Sequence, residues 1–202
     1  MNDRAAPDGA GRATYAGSMP ADVVPSPRPD TSGDKTLIIL RHAKSDWPQG
    51  VPDHDRPLGS RGNREAPEAG RWLVEHGIIP DMILCSDAVR TRQTCTWVCS
   101  ELGEKAPTPY LDSRLYDADA ARALAVINET EERVRTLMVV GHMPWVQDLG
   151  MRIASVDSDE EAVVSMAERY PTLGLQVFRI PGEWAALDGR DARMTHFTVP
   201  RP

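Results

Sequence analysis

Short runs of consecutive apolar residues alternate along this chain with longer stretches in which apolar positions recur every three or four residues. That alternation predicts strands joined by crossover helices in an α/β domain. Leu37-Ile38-Ile39-Leu40 is the first run, Met82-Ile83-Leu84-Cys85 the second and Leu137-Met138-Val139-Val140 the third. Each is apolar at successive positions, as expected of strands covered on both faces, and the three are expected as neighbours in a central sheet. Between them, residues 62–76 predict a helix with Ala66, Ala69, Leu73 and His76 at helical spacing, Pro67 in its early turns and Gly77 as its stop. Residues 88–102 predict a second helix, capped by Ser86 or Asp87 and stopped by Gly103, and residues 119–128 a third. Ser158-Asp159-Glu160-Glu161 has the form of a capping box opening a helix that runs to Arg169. Residues 173–180 and 194–199 then predict two late strands near a sheet edge, with the Trp184 segment between them. No internal repeat is visible.

Composition places this pattern in one ordinary domain. The chain has 202 residues, 41% of them hydrophobic and 26% charged, within the range of a water-soluble globular protein. Residues 1–34 depart from it, because five prolines and four glycines with almost no large apolar side chains cannot bury enough surface to repay their ordering entropy. That segment is expected to be a disordered tail, and the folded unit to span residues 35–202. Thirty acidic against 23 basic side chains give a formal charge of −7, so the outer field repels polyanions and a nucleic-acid partner is not expected. No apolar run reaches the roughly 20 residues needed to cross a bilayer, and the N-terminus lacks the basic start and apolar stretch of a secretory signal. The expectation is a cytoplasmic protein without a membrane partner. Cys85, Cys95 and Cys99 form no CxxC pair, and the five histidines show no metal-ligand spacing, which predicts reduced thiols and neither a metal nor another cofactor.

The chemistry begins where each buried run ends. Leu40 leads into Arg41-His42, Cys85 into Ser86-Asp87-Ala88-Val89-Arg90, and Val140 into Gly141-His142. In open α/β sheets, ligands sit beyond the carboxyl ends of the strands, so three polar exits can converge on one crevice. Taken singly, Arg-His after a strand is an ordinary turn with an ion pair, Ser86 a helix cap and Gly141-His142 a tight turn. Taken together they make a cationic cup of two guanidiniums and two imidazoles, whose natural occupant is a phosphoryl group. Neutral His42 could attack phosphorus while an arginine neutralises the non-bridging oxygens, provided its other ring nitrogen is held by an acceptor. Arg90 shares a helix face with Ser86 and Thr94, whereas Arg92 lies about 200° around from Arg90, so Arg90 is assigned to the phosphate and Arg92 to the surface or a structural ion pair.

On these residues the chain resembles the histidine phosphatase superfamily, with its phosphoglycerate-mutase-like fold. The signatures are Leu40-Arg41-His42-Ala43-Lys44-Ser45, then Ser86-Asp87-Ala88-Val89-Arg90-Thr91-Arg92-Gln93-Thr94, then Gly141-His142-Met143-Pro144. Arg-His-Ala-Lys-Ser, with Asp55-Arg56-Pro57-Leu58 and Arg61-Gly62 downstream, is most similar to the SixA-type phosphohistidine phosphatase branch. The resemblance covers nearly all of residues 35–202. It implies a three-layer α/β/α fold with a mostly parallel central sheet, His42 as the nucleophile that becomes a phosphohistidine intermediate, and Arg41, Arg90 and His142 as the clamp on the transferring group. It also suggests substrate contacts from Lys44, Ser45, Arg56 and Ser86, and His54 could reach the crevice rim.

One departure bears on the substrate. Many members place a glutamate or aspartate in mid-chain as general acid for an alcohol leaving group. Here the stretch reads Asp112-Ser113-Arg114-Leu115-Tyr116-Asp117, with Arg114 at the aligned position and Asp112 and Asp117 as the substitutes to consider. An imidazole leaving group, with a pKa near 6.5, needs far less help than an alkoxide. The expected activity is therefore metal-independent removal of phosphate from phosphohistidine on a protein. The alternatives are a phosphomonoesterase on a small phosphorylated molecule such as a sugar or nucleotide phosphate, and a phosphoprotein-binding module without hydrolysis.

Overall fold

The computed structural model describes residues 34–202, so the expected tail, residues 1–34, lies outside the described residues except for Asp34. Six strands form one sheet: β1 (Lys35–Arg41), β2 (Met82–Cys85), β3 (Tyr110–Leu111), β4 (Thr136–Gly141), β5 (Leu175–Ile180) and β6 (Arg193–Thr198). Their order across the sheet is β3-β2-β4-β1-β5-β6. The β2, β3, β4 and β1 pairings are parallel, and β5 runs antiparallel between β1 and β6. Five helices cover this sheet: α1 (Ser60–Glu75), α2 (Val89–Leu102), α3 (Ala120–Asn128), α4 (Trp145–Ile153) and α5 (Glu160–Glu168).

The layers follow from the alternation of strand side chains. Within β1, Leu37 and Ile39 face one side and pack with Leu124 and Ile127 of α3, Val146 and Leu149 of α4 and Met166 of α5. Ile38 and Leu40 face the other side and pack with Ala66, Ala69 and Leu73 of α1 and Val98 and Leu102 of α2. All four β1 residues are fully buried, which explains the continuous apolar run in the sequence. Each contributes about 1.5–3 kcal/mol by leaving water, and truncating one to alanine costs about 2–5 kcal/mol.

Two glycines fix the approach of helices to the strand ends. A Cβ on Gly62 would come within 2.1 Å of the Lys44 carbonyl oxygen, because the first turn of α1 lies directly on the loop that follows β1. On Gly141, a Cβ would meet the Trp145 ring at 1.8 Å. Trp145 is buried there, and its indole donates to the Leu115 carbonyl at 3.1 Å, tying the loop after β3 to the end of β4.

Several helix ends differ from the sequence reading. The N-cap of α2 is Ala88, without a side-chain hydrogen bond, rather than Ser86 or Asp87, because the Ser86 hydroxyl is engaged by His142. At α5 the cap is Asp159, whose carboxylate accepts from the Ala162 N–H, while the Ser158 hydroxyl accepts from the Met194 N–H on β6. Helix α1 begins two residues before its predicted start. Helix α4 and the two-residue β3 have no counterpart in the reading. Asp119 does cap α3, accepting from the Arg122 N–H. The three cysteines are free thiols, Cys85 and Cys95 buried and Cys99 half-buried.

Candidate active site

The central strands deliver the predicted residues to one place. Arg41 is opposite Gly141 at the carboxyl ends of β1 and β4, and Cys85 of β2 is opposite Val140 on the other side of β4. The chain stays pinned for one residue more, with the His42 N–H bonded to the Gly141 carbonyl and the Ser86 N–H to the Val140 carbonyl, both at 3.0 Å. The Ala43 N–H then donates to Thr94 Oγ1 on α2 at 3.1 Å. Arg41, His42, Ser86 and His142 thus leave the same edge of the sheet from three adjacent strands.

His42 is buried, and its Nδ1 lies 2.7 Å from the Ala43 carbonyl oxygen. A carbonyl only accepts, so Nδ1 carries the hydrogen and Nε2 holds the lone pair. The His142 ring is tilted against it, with centroids 5.2 Å apart. His142 Nε2 is 2.8 Å from Ser86 Oγ, and its Nδ1 is buried with no hydrogen-bond partner. Arg41 donates to the Tyr170 carbonyl at 2.6 Å and leaves its buried Nε without a partner. Burial, followed by the charges of Arg90, Arg41 and Arg56, pushes the His42 pKa down to about 3. Burial also brings His142 down to about 3, with the adjoining His42 and Arg90 acting in the same direction. At neutral pH both rings are uncharged, and the arginines carry the positive charge.

The mouth of this cup is organised by a residue to which the sequence reading gives no role. Asp53 sits in the loop after β1, and its carboxylate collects three donors: Arg56 on Oδ1 at 2.6 Å, Arg90 on Oδ2 at 3.0 Å and the Tyr116 hydroxyl on Oδ2 at 2.8 Å. Arg90 also donates to the Asp53 carbonyl at 2.6 Å. Partial burial alone would raise the Asp53 pKa, but the hydrogen bonds from Tyr116 and Arg56 with the charge of Arg90 outweigh it and hold the carboxyl well below its usual range. The Tyr116 ring stands edge-on to His142, with centroids 5.6 Å apart. Tyr116 and Asp53 therefore join the arginines and His142 in one cluster, and no local motif announces them.

Other predicted residues take distinct places. Ser45 is buried and its Oγ accepts from Arg56 at 2.6 Å, so it steadies that guanidinium. Arg56 is itself buried and lies 3.1 Å from the centroid of the exposed Trp47 ring. The Lys44 side chain is exposed, and its carbonyl accepts from the Gly59 N–H. His54 is at the rim, bonded to Asp87 at 3.0 Å and Asp55 at 3.2 Å, which raise its pKa in that order of importance, and its ring is 4.8 Å from Tyr116. Arg92 is exposed. His76 stacks on Trp72 at 3.8 Å beside His196 in a separate aromatic cluster.

The mid-chain acidic stretch does not place a proton donor in the cup. Arg114 bonds Asp112 and Glu129 on the surface, and the hydrogen bonds from Arg114 lower the Asp112 pKa. Asp117 is exposed. The residue this loop turns toward His142 is Tyr116.

Among the described residues, no helix is long and apolar enough to cross a membrane. A sequence profile of the histidine phosphatase superfamily (branch 1) matches residues 37–124. An uncharacterized protein of Mycobacterium tuberculosis strain H37Rv is 42% identical over 163 residues, spanning 80% of this chain and 100% of that protein. A candidate phosphohistidine phosphatase SixA from Nakamurella multipartitia shares the fold at a TM-score of 0.71 and 30% identity, covering 85% of this chain and 99% of that one. A second SixA candidate, from Agrobacterium tumefaciens, aligns at a TM-score of 0.66 and 28% identity over 82% of this chain and 98% of that one.

Proposed function

The chain belongs to the histidine phosphatase superfamily, and from that premise we propose that it is a metal-independent phosphatase that takes a phosphoryl group onto His42 and passes it to water, with phosphohistidine on a protein as its substrate. The catalytic unit is residues 35–202. The observation that carries the reading is the orientation of His42, whose Nδ1 is tied to the Ala43 carbonyl, leaving a neutral Nε2 on a ring whose centroid lies 5.2 Å from that of His142, while His142 Nδ1 and Arg41 Nε are buried without partners.

Each group has a role fixed by its chemistry. His42 Nε2 attacks phosphorus in line with the leaving nitrogen. His142 Nδ1, Arg41 Nε and the N–H groups of Arg90 not taken by Asp53 hold the non-bridging oxygens as charge shifts onto them. Ser86 fixes the His142 ring through Nε2. Water on the vacated side then attacks the phosphohistidine, and neutral His42 leaves. A low pKa suits His42 as leaving group in this second half, and burial suits it as nucleophile in the first, because solvent does not compete for its lone pair.

The phosphohistidine preference rests on the carboxylate at the mouth. Asp53 is held ionised by two arginines and a tyrosine, so it cannot protonate an alkoxide, whereas an imidazole leaves without that help. The SixA assignments of the two aligned structures support the same substrate class. Rates on a phosphohistidine-containing peptide and on a panel of sugar, nucleotide and aryl phosphates, measured side by side, test the reading. Higher kcat/KM on the peptide is expected. Clearly faster turnover of an ester would assign the site to small phosphomonoesters instead.

A further inference from the structure

We propose that Asp53 is the specificity-determining residue of this site, accepting the ring N–H on the non-phosphorylated nitrogen of phosphohistidine. The inference rests on the phosphohistidine reading and assigns its selectivity to one side chain. A carboxylate offers about four acceptor positions. Arg56 takes one on Oδ1, and Arg90 and Tyr116 take two on Oδ2. One position on Oδ1 is left, and the Asp53 side chain is 49% exposed while its two arginine partners are 8% and 7% exposed. The protein thus buries the cations and presents the anion. Three donors that fix a carboxylate but leave it open on one side make an acceptor with a defined position, at the mouth of a cup otherwise built to hold an anion.

A phosphate dianion gains nothing from a carboxylate there, because like charges repel. The leaving group of phosphohistidine is different, since its second ring nitrogen carries a proton when the ring is cationic. Asp53 is joined through Arg90 to the proposed phosphoryl clamp, and it accepts from Tyr116, whose own ring stands edge-on to His142. A five-membered ring attached to phosphorus places its far nitrogen a few ångströms outward, on the side of the mouth. With that N–H held by Asp53, the substrate ring stays protonated. The N–P bond then breaks as the His42 Nε2–P bond forms, the bonding pair returns to the leaving nitrogen, and the product is neutral imidazole that keeps the hydrogen shared with Asp53. No further proton donor enters the step. The charged groups around Asp53 are Arg56 and Arg90 on one side and His54, paired with Asp55 and Asp87, at the rim.

The test compares the full-length protein with its Asp53→Asn and Asp53→Glu variants on a phosphohistidine-containing peptide and on p-nitrophenyl phosphate, whose leaving group needs neither proton nor acceptor. The ratio of peptide to ester kcat/KM is expected to fall at least about tenfold in Asp53→Asn and to recover in part in Asp53→Glu. The high-pH limb of the peptide profile is expected to move down by about one unit in Asp53→Asn, since a nearby opposite charge holds a proton by that much or more. A purely structural role, anchoring Arg56 and Arg90, would lower both substrates equally and leave the profile in place, and that result overturns the proposal. An unchanged ratio overturns it too. If the unmodified protein turns over the ester and not the peptide, the phosphohistidine reading itself fails; if it turns over the peptide and Asp53→Asn loses both substrates alike, only the role of Asp53 fails.

Discussion

Two arginine–carboxylate clusters in this molecule use the same side chains to opposite ends. On the surface, Arg114 sits between Asp112 and Glu129 with bonds of 2.7 Å to each, so one half-exposed cation faces two anions. At the mouth of the cup, Asp53 faces Arg56 and Arg90, and both arginines are buried. The surface cluster is saturated and carries excess negative charge. Among the buried groups of the cup the excess is positive, because one carboxylate serves two guanidiniums and Arg41 has its Nε unpaired, while the rim carboxylates Asp55 and Asp87 are paired with His54. Exposed pairs of the first kind are screened by water and contribute little to stability, whereas buried charge left short of counterions is costly unless an anion completes it. The two clusters differ in what they can still accept: the buried arginines of the cup are short of counterions and Arg114 is not. That difference also reconciles the formal charge of −7 with a site for an anionic group, since the excess positive charge is local.

The largest effect expected from breaking this arrangement is at its centre. His42→Ala should lower kcat/KM by at least about a thousandfold on every phosphorylated substrate, because no other group in the cup is set up as a nucleophile; steady-state rates on the peptide and on p-nitrophenyl phosphate check it. Arg90→Ala should lower kcat/KM about a hundredfold on both, the typical loss of a charged donor to the transferring group. Arg90→Lys should restore little, since a lysine cannot hold Asp53 and a phosphoryl oxygen with one planar fork.

The buried neutral histidines make a smaller prediction about stability. Their folded pKa values of about 3 lie below the unfolded value near 6.5, so between these limits the unfolded chain binds more protons. Stability is therefore fully present above about pH 6.5 and falls as the pH drops toward 3, by up to about 1.4 kcal/mol per pH unit for each histidine. Urea unfolding at pH 7 and pH 5 should show a smaller loss in a His42→Asn, His142→Asn double variant than in the unmodified protein. Ser86→Ala, which frees the His142 ring, should cost about tenfold in kcat/KM with little change in KM. Least affected should be Arg114→Ala: unchanged kcat/KM and a melting temperature within about 3 °C. A large loss of activity in that variant would erase the contrast between the two clusters.

The strands and the cup were legible because their signals are local. An apolar run followed at once by Arg41-His42, or by Gly141-His142, states both the strand and the group it presents, and parallel neighbours bring such ends together. Helical geometry separates the Arg90 and Arg92 faces, and Arg92 takes the surface, one of the two places that geometry leaves open to it. Asp53 and Tyr116 carry no such signal. They lie 63 positions apart, Asp53 in a charged loop that reads as a solvated turn and Tyr116 in a stretch whose acidic neighbours draw attention first. Ser86 was open to a helix-cap reading because its partner, His142, is 56 positions away. Helix α4 escaped because Pro144 precedes it and Gly150 lies within it. A Cβ at Gly150 would meet the Gln176 side-chain oxygen at 1.9 Å, so that glycine reflects close packing and not a helix stop.

The central claim is that His42 Nε2 takes the phosphoryl group covalently. Mixing the enzyme with a phosphohistidine-containing peptide, quenching in alkali within milliseconds and mapping the modified peptides by mass spectrometry tests it most directly. The expected result is an acid-labile, alkali-stable phosphoryl group on His42, formed in a burst before steady turnover and absent from His42→Ala. A phosphoryl group on another residue, or steady turnover with no covalent species on His42 at any time point, would contradict it.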